Sequence, residues 1–407
     1  MKSFDDCRAD FPSLERRVDG RPLAYFDGPG GTQVPQPVID AIGSYYETSN
    51  ANTHGPFATS VETDRVIQGA RQAAADFLGA GEGSRISFGQ NMTTLNFALA
   101  RAIGRTLEPG DEIVVTALDH EANRGPWLSL QERGAVIKEL PFGKDGVLEM
   151  HRLEDLLSAK TRVVAMGLAS NALGTVNDVA RARELTRGKA MLVVDAVHYA
   201  PHFAIDTAAL DPDFLLCSAY KFYGPHIGIL YSREGLLDTL PTDRLVTADQ
   251  TAPGRIETGT LNHAALAGVT AAIDYIASFG TGESRRERIA DAMHSLARRE
   301  RVHATRYAGA LRELEGLMLY GPPFEGERAP TVSFSIVGMS AREVTERLAR
   351  QGIAAWDGDF YARRAVELLG LADAGGLVRS GMAMYTSDDD VDRLIEAVQS
   401  VARSVRN

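Results

Sequence analysis

A chain of 407 residues is longer than a single core usually supports, so a large domain with a smaller companion is expected. Its composition, 44% apolar and 24% charged, is that of an ordinary globular protein, and a formal charge of −11 with no basic patch argues against a nucleic-acid partner. Two cysteines, Cys7 and Cys217, leave no basis for a disulfide framework or a cysteine-built zinc site, and no metal is expected.

The opening MKSFDDCRADFPS carries acids where a signal peptide would have an apolar core, and no run is long enough to cross a bilayer. No membrane partner and a cytoplasmic location are therefore expected. From there to residue 231 short apolar strands alternate with helical patterns. The strand candidates are 85–88, 112–117, 135–140, 162–167, 190–195, 214–219 and 227–231, with helices such as 94–104 and 178–187 between them. This alternation predicts an α/β domain on a mostly parallel seven-stranded sheet. The last strand, IGILY, follows its predecessor after a short turn, which predicts a hairpin and an antiparallel edge strand. From about Gly282 the texture changes to a long charged helix (283–315), strands 331–337 and 377–385, and helices 341–352 and 388–405. That pattern predicts a small α+β domain. The expected division is an N-terminal segment 1–20, a large α/β domain 21–281 and a small C-terminal α+β domain 282–407.

Lys221 ends the buried strand FLLCSA and precedes Phe222, Tyr223, Gly224 and Pro225. A lysine so placed pairs with an acid, shifts its pKa, or is used covalently. One strand earlier, AMLVV ends on Asp195, which alone reads equally as a helix cap. Together an amine and a carboxylate at the same sheet edge suit pyridoxal phosphate, which takes a lysine Schiff base and an acid against its ring nitrogen.

Other residues fall at the same edge. Asn91, Met92 and Thr93, in GQNMTTLN, link a strand to a helix and either cap it or offer amides to a phosphate. His120, in ALDHEANRGPW, is an ordinary lone histidine or one that stacks on a flat ring. Asn171 and His198 lie where a ring hydroxyl would be reached, and Ser218 and Tyr220 flank the lysine. Arg379 lies inside the apolar strand LVRSGMAMY, where either a structural acid or a substrate α-carboxylate would be its partner.

Taken together, the motifs resemble the class V aminotransferase family of fold-type I pyridoxal-phosphate enzymes, and most closely its cysteine desulfurase-like branch. YFDGPGGTQVP (25–35) is similar to the family's YLDNAATTxxP, and NANTHGPFATS (50–60) to its N-x-H-R-x-x-H stretch. DHEAN (119–123), ASNALGTVND (169–178), DAVH (195–198), SAYKFYGPHIGILY (218–231) and RIETGTLN (255–262) resemble the segments that follow. The resemblance implies a homodimer with shared active sites. It implies Lys221 as the Schiff-base lysine, Asp195 at the pyridine nitrogen and His120 stacked on the ring. Asn171 and His198 would contact oxygens, Ser218 the phosphate, Thr260 the phosphate of the partner subunit, and Arg379 the substrate carboxylate.

The chain departs from the branch in ways that bear on the reaction. His198 replaces a glutamine, Tyr220 a histidine, and QNMTT a GTTE-like loop. Where a desulfurase carries its nucleophilic cysteine, this chain reads Gly358, Asp359, Phe360, Tyr361 and Ala362. A persulfide needs a thiolate, which tyrosine cannot supply. The expectation is an enzyme acting on a small amino acid by β-elimination at a C–S bond without a protein persulfide. Tyr361 is either the acid for the leaving group or a tyrosine filling the pocket. Transamination, epimerisation, Cα–Cβ chemistry, and a binding protein without turnover are the alternatives.

Overall fold

The computed structural model describes residues 2–404. Its helices in chain order include α1 (Gln36–Thr48), α2 (Ala58–Leu78), α3 (Met92–Gly104), α4 (Glu121–Leu128), α5 (Val179–Thr186), α6 (His263–Ala277) and α7 (Arg285–Arg312). The seven expected strands all form: β1 (Ile86–Gly89), β2 (Glu112–Thr116), β3 (Val136–Leu140), β4 (Thr161–Gly167), β5 (Met191–Asp195), β6 (Phe214–Ser218) and β7 (Gly228–Ser232). They make one sheet in the order β1-β7-β6-β5-β4-β2-β3. Six run in parallel, and β7 alone is antiparallel to its neighbours β1 and β6. Near-continuous apolar runs give the central strands two apolar faces, and the flanking helices cover both, whereas the edge strand β3 is partly exposed.

The expectation that 227–231 is the edge strand needs correction. β7 is antiparallel, as its short turn demands, but β1 pairs along its outer side and every residue of β7 is buried. A fully apolar strand such as GILYS leaves exposed amides and apolar side chains if it ends a sheet, so burial between two neighbours is the stable solution.

Beyond α7 lies a second, antiparallel sheet of β8 (Leu317–Tyr320), β9 (Thr331–Ile336), β10 (Trp356–Gly358) and β11 (Leu377–Gly381), ordered β8-β9-β11-β10. The helices Ala341–Ala349 and Asp388–Ser404 pack on it through Val344, Leu348, Val391, Leu394 and Val398. A boundary at residue 21 does not describe the N-terminal segment well. Ala24 and Phe26 sit in this second core, and Ala24–Tyr25 pairs in parallel with Ile353–Ala354, whereas Cys7, Phe11 and Leu14 join the main core. The early chain thus bridges both cores, and Asp27 is carried against β11.

α7 shows how sequence sets these contacts. Ser284 and Glu287 form a capping box, and Ile289, Met293, Leu296 and Glu300 follow at helical spacing on its buried face. No helix among the described residues is long and apolar enough to cross a membrane. No cluster of three or more metal-ligating side chains is present among them either.

Candidate active site

The carboxyl ends of β4, β5 and β6 bring Gly167, Asp195 and Leu216 into one row, with Ser218 two residues further on. A cavity opens there, lined by Asn91, Met92, Thr93, His120, Asn171, Asp195, His198, Ser218, Tyr220 and Lys221. Every one of the expected cofactor contacts is therefore gathered in one place except Thr260. That residue is exposed and lines a separate groove with Gln90, His226 and Asn262.

Lys221 is buried, and its Nζ donates to the carbonyls of Pro29 and of Gly30, the latter at 3.1 Å. Loss of water, and then the charge of Arg379, push its pKa down to about 7. Asp195 is also buried, and its Oδ1 accepts from the Val197 N–H at 2.9 Å. Burial lifts this carboxyl to about 7, with the neighbouring Asp119 adding to the effect. A buried acid bonded by one backbone amide is suited to the N–H of a protonated heterocycle.

At the start of α3, Asn91 Oδ1 accepts from the Thr94 N–H at 2.9 Å, and Ser218 Oγ accepts from the Met92 N–H at 2.9 Å. The amides of a helix's first turn lack partners in a preceding turn, and an anion completes them. The loop comes this close because β7 has no side chain at Gly228, where a Cβ would lie 2.3 Å from the carbonyl carbon of Asn91. The helix-cap reading of Asn91 is realised, as one half of a capping box with Thr94.

His120 caps α4 through Nδ1, which accepts from the Ala122 N–H at 2.9 Å. Burial and then the charges of Lys221 and Arg379 hold it down to about 4, so the ring is neutral. It lies 5.5 Å from the Tyr361 ring, tilted by 33°. His198 Nε2 meets Thr331 Oγ1 at 2.9 Å, while its Nδ1 and the Oδ1 of Asn171 are buried without partners among the described residues. These two atoms belong to cavity-lining residues and, with Asp195 and the α3 amides, fit pyridoxal phosphate. Buried polar atoms without partners are rare, and a bound oxygen-bearing ring would supply them.

A second cavity continues outward from Lys221, lined by Asp27, His120, Glu121, Trp356, Phe360, Tyr361 and Arg379 among others. Arg379 is 3% exposed, with Nη2 donating to Asp27 Oδ1 at 3.1 Å and Nη1 to the Asn171 carbonyl at 3.1 Å. Its guanidinium lies 4.4 Å from the centre of the Phe360 ring, and its Nε has no partner among the described residues. The structural-acid reading of Arg379 thus has a named partner in Asp27. Asp27 was missed by sequence reasoning although it stands in the opening motif. The signal was an acid in a Gly- and Pro-rich loop; only the fold brings it to residue 379.

Phe360 and Tyr361 form a turn with φ of +56° and +58°, values unusual for bulky residues. Three bonds hold the turn: Asn171 Nδ2 to the Phe360 carbonyl at 2.8 Å, the Glu121 N–H to the Tyr361 carbonyl at 2.7 Å, and the Tyr361 N–H to Asp359 Oδ1 at 2.9 Å. Phe360 is buried, whereas Tyr361 is 71% exposed at the cavity mouth. Tyr361 therefore does not fill the pocket; Phe360 does. Tyr220, adjacent to Lys221, stacks on His226 at 4.8 Å and shapes both cavities.

The aminotransferase class-V family profile matches residues 24–394. A cysteine desulfurase of Serratia proteamaculans is 35% identical over 97% of each chain. The crystal structure of the Escherichia coli cysteine desulfurase CsdA, with an S-sulfonic acid, superposes with a TM-score of 0.87 at 28% identity over 99% of each chain. A cysteine desulfurase from Thermococcus onnurineus in its apo form gives a TM-score of 0.89 at 27% identity, again over 99% of each chain. The chain belongs to the aminotransferase class-V family of pyridoxal-phosphate enzymes, on its cysteine desulfurase-like branch and with its fold-type I architecture.

Proposed function

We propose that this protein is a β-eliminating lyase that cleaves a C–S bond of a small amino acid without forming a persulfide on the chain. The observation that carries the reading is the turn at the cavity mouth, where Phe360 and Tyr361 stand in the loop facing Lys221 and neither cysteine lines either cavity. Cys217 is buried within β6, and Cys7 is buried with its Sγ on the Met384 carbonyl at 3.2 Å. Burial pushes the Cys7 thiol up to about 12 and the Cys217 thiol higher, so neither supplies a thiolate at neutral pH.

Pyridoxal phosphate, when bound, supplies a covalent anchor for the substrate amine and an electron sink for the α-carbon. In this reading Ser218, Met92, Thr93 and Asn91 hold its phosphate, Asp195 its ring nitrogen, Asn171 and His198 its hydroxyl, and His120 and Tyr220 its faces. Arg379 binds the substrate carboxylate and fixes which α-substituent faces Lys221. The Lys221 amine takes the α-proton, the Cβ–S bond breaks with its electron pair on sulfur, and Tyr361 protonates the departing thiolate. Hydrolysis of the remaining three-carbon fragment gives pyruvate and ammonium. The exposed Thr260 supports a homodimer in which a second copy completes the phosphate site, and a cytoplasmic setting suits two unpaired thiols.

Holoenzyme incubated with cysteine, cystine and S-alkyl cysteines is expected to release pyruvate in step with sulfide or thiol. Absence of both products from every one of these substrates would discard the lyase reading. Net conversion of an added keto acid to its amino acid would replace it with transamination.

The lowered lysine pKa gives a separate expectation. Only the unprotonated Lys221 amine would be nucleophilic, so the rate of cofactor capture by the apo-protein should rise with pH and level off above about 7. Below that value the rate is expected to fall about tenfold per pH unit. Stopped-flow absorbance reads this directly, and a midpoint near that of an ordinary lysine would contradict it.

A further inference from the structure

The cavity that opens outward from Lys221 is larger than a cysteine side chain requires. Its volume is about 570 Å³, within the range of sites that enclose drug-sized ligands, roughly 300–1,000 Å³. In the β10–β11 ladder Trp356 lies directly opposite Arg379. Opposite residues project from the same face of a sheet, so the indole stands beside the guanidinium on the cavity side. Asp357 projects from the other face, where Thr345 Oγ1 donates to its Oδ1 at 2.7 Å. The Phe360 ring lies against Arg379 and the Tyr361 ring near His120, whereas no ring or cation stacks on Trp356 among the described residues. Trp356 is 53% exposed, so its faces are open to whatever enters the mouth.

The charges lining this cavity are Asp27, Glu121, Lys221 and Arg379. Asp27 and Arg379 offset one another at 3.1 Å, and Lys221 belongs to the chemistry. Glu121 is different. It sits in the first turn of α4, and its N–H donates to the Tyr361 carbonyl at 2.7 Å, which holds the acid beside the turn. Its nearest cation is Arg124, whose Nε is 3.7 Å away and whose Nη2 is committed to Glu139 at 2.8 Å. The other charges facing it are Arg363, Glu367 and Asp359, and Arg363 is bonded to Glu367 at 2.7 Å. Glu121 is therefore the least compensated charge in the cavity. Partial burial raises its pKa, and a cation in the cavity would hold it ionised.

We infer that the substrate is a cysteine whose S-substituent ends in a cation, with Glu121 and Trp356 as the residues that select it. The chemistry at sulfur rests on the proposed lyase reading; the charge selection rests on the cavity. With the α-carboxylate at Arg379, the arm on sulfur runs outward to the mouth. An ammonium there gains the charge of Glu121 and a face of the indole. A neutral arm gains apolar contact alone, and a carboxylate arm is repelled by Glu121. Cysteine itself leaves the outer cavity unfilled and is expected to be a poorer substrate than a cysteine with a cationic arm.

The test compares turnover of S-aminoethyl-, S-propyl- and S-carboxyethyl-cysteine by the holoenzyme, since these arms are similar in length and differ in terminal charge. The kcat/KM is expected to be about tenfold higher for the aminoethyl than for the propyl arm, the scale of one cation–π and one carboxylate contact at a half-exposed site. It should be lowest for the carboxyethyl arm. Glu121→Gln should bring the first ratio close to one, and Glu121→Lys should reverse the order. Trp356→Ala should lower the same ratio and serves if the Glu121 variants do not fold. Equal kcat/KM for the three arms in the unaltered protein, or an unchanged ratio in whichever variants fold, overturns the inference. Binding separates selection from reaction. Equilibrium dialysis of the holoenzyme with lysine, norleucine and aminoadipate, whose all-carbon arms cannot lose sulfur, is expected to give the same order of affinities. That order, with no pyruvate or thiol from any sulfur substrate, would remove the lyase reading and leave the selection standing. Pyruvate release with no preference for charge would do the opposite.

Discussion

Lys221→Ala is expected to abolish covalent capture of pyridoxal phosphate and to lower turnover by roughly 10⁴-fold, the scale of losing a positioned proton carrier. Borohydride reduction followed by peptide mapping reads the attachment, which should fall on the 221 peptide in the unaltered protein and nowhere in the variant. Attachment to another lysine would end the assignment. The variant should fold well. A lysine whose folded pKa lies near 7 rather than near 10.5 makes the folded state progressively costlier as pH falls from 10.5 toward 7. Removing the amine removes that cost, so at neutral pH the melting temperature of the apo-variant is expected to match or exceed that of the parent. Lost activity with intact folding separates chemistry from structure.

Arg379→Ala carries the second large effect, and here folding and binding suffer together. It deletes the cation beside the buried Asp27, the donor to the Asn171 carbonyl and the partner of the Phe360 ring. Breaking one side of a buried ion pair costs about 3–5 kcal/mol. Losing a charge-assisted carboxylate contact should lower kcat/KM for an amino acid by roughly 10²–10³-fold. Two comparisons keep these apart. Asp27→Asn added to Arg379→Ala should restore most of the melting temperature and none of the affinity. The amine lacking the α-carboxylate should bind parent and variant alike. If the amine loses as much as the amino acid, Arg379 is structural and the substrate carboxylate is held elsewhere.

The central strands β4, β5 and β6 were legible because they are buried on both faces and so appear as apolar runs, ended by Gly, Asp and Ser respectively at the ligand edge. The early helices α1 and α2 were passed over because Gln36–Thr48 and Ala58–Leu78 bury few large residues. The place of β7 was misjudged because local spacing reports the hairpin with β6 but not the distant segment 86–89 that closes its other side.

Within the site, the chemistry-bearing residues stood at strand ends and were found as types before they were found as neighbours. Asp27 was not, because it acquires meaning from a partner far along the chain, Arg379. Tyr361 was identified, but its exposure was not: the residue that fills the pocket is Phe360, because two consecutive left-handed residues turn one ring inward and the next outward.

Residue order alone determined the amine, the acid and the strands that deliver them, since apolar runs and their polar ends are written locally. Only the tertiary structure decided which distant charges face one another, because pairings across hundreds of residues depend on how two cores share an early stretch of chain. Those pairings set the proton positions, and burial at the shared boundary, a property no single segment possesses, is what moves them.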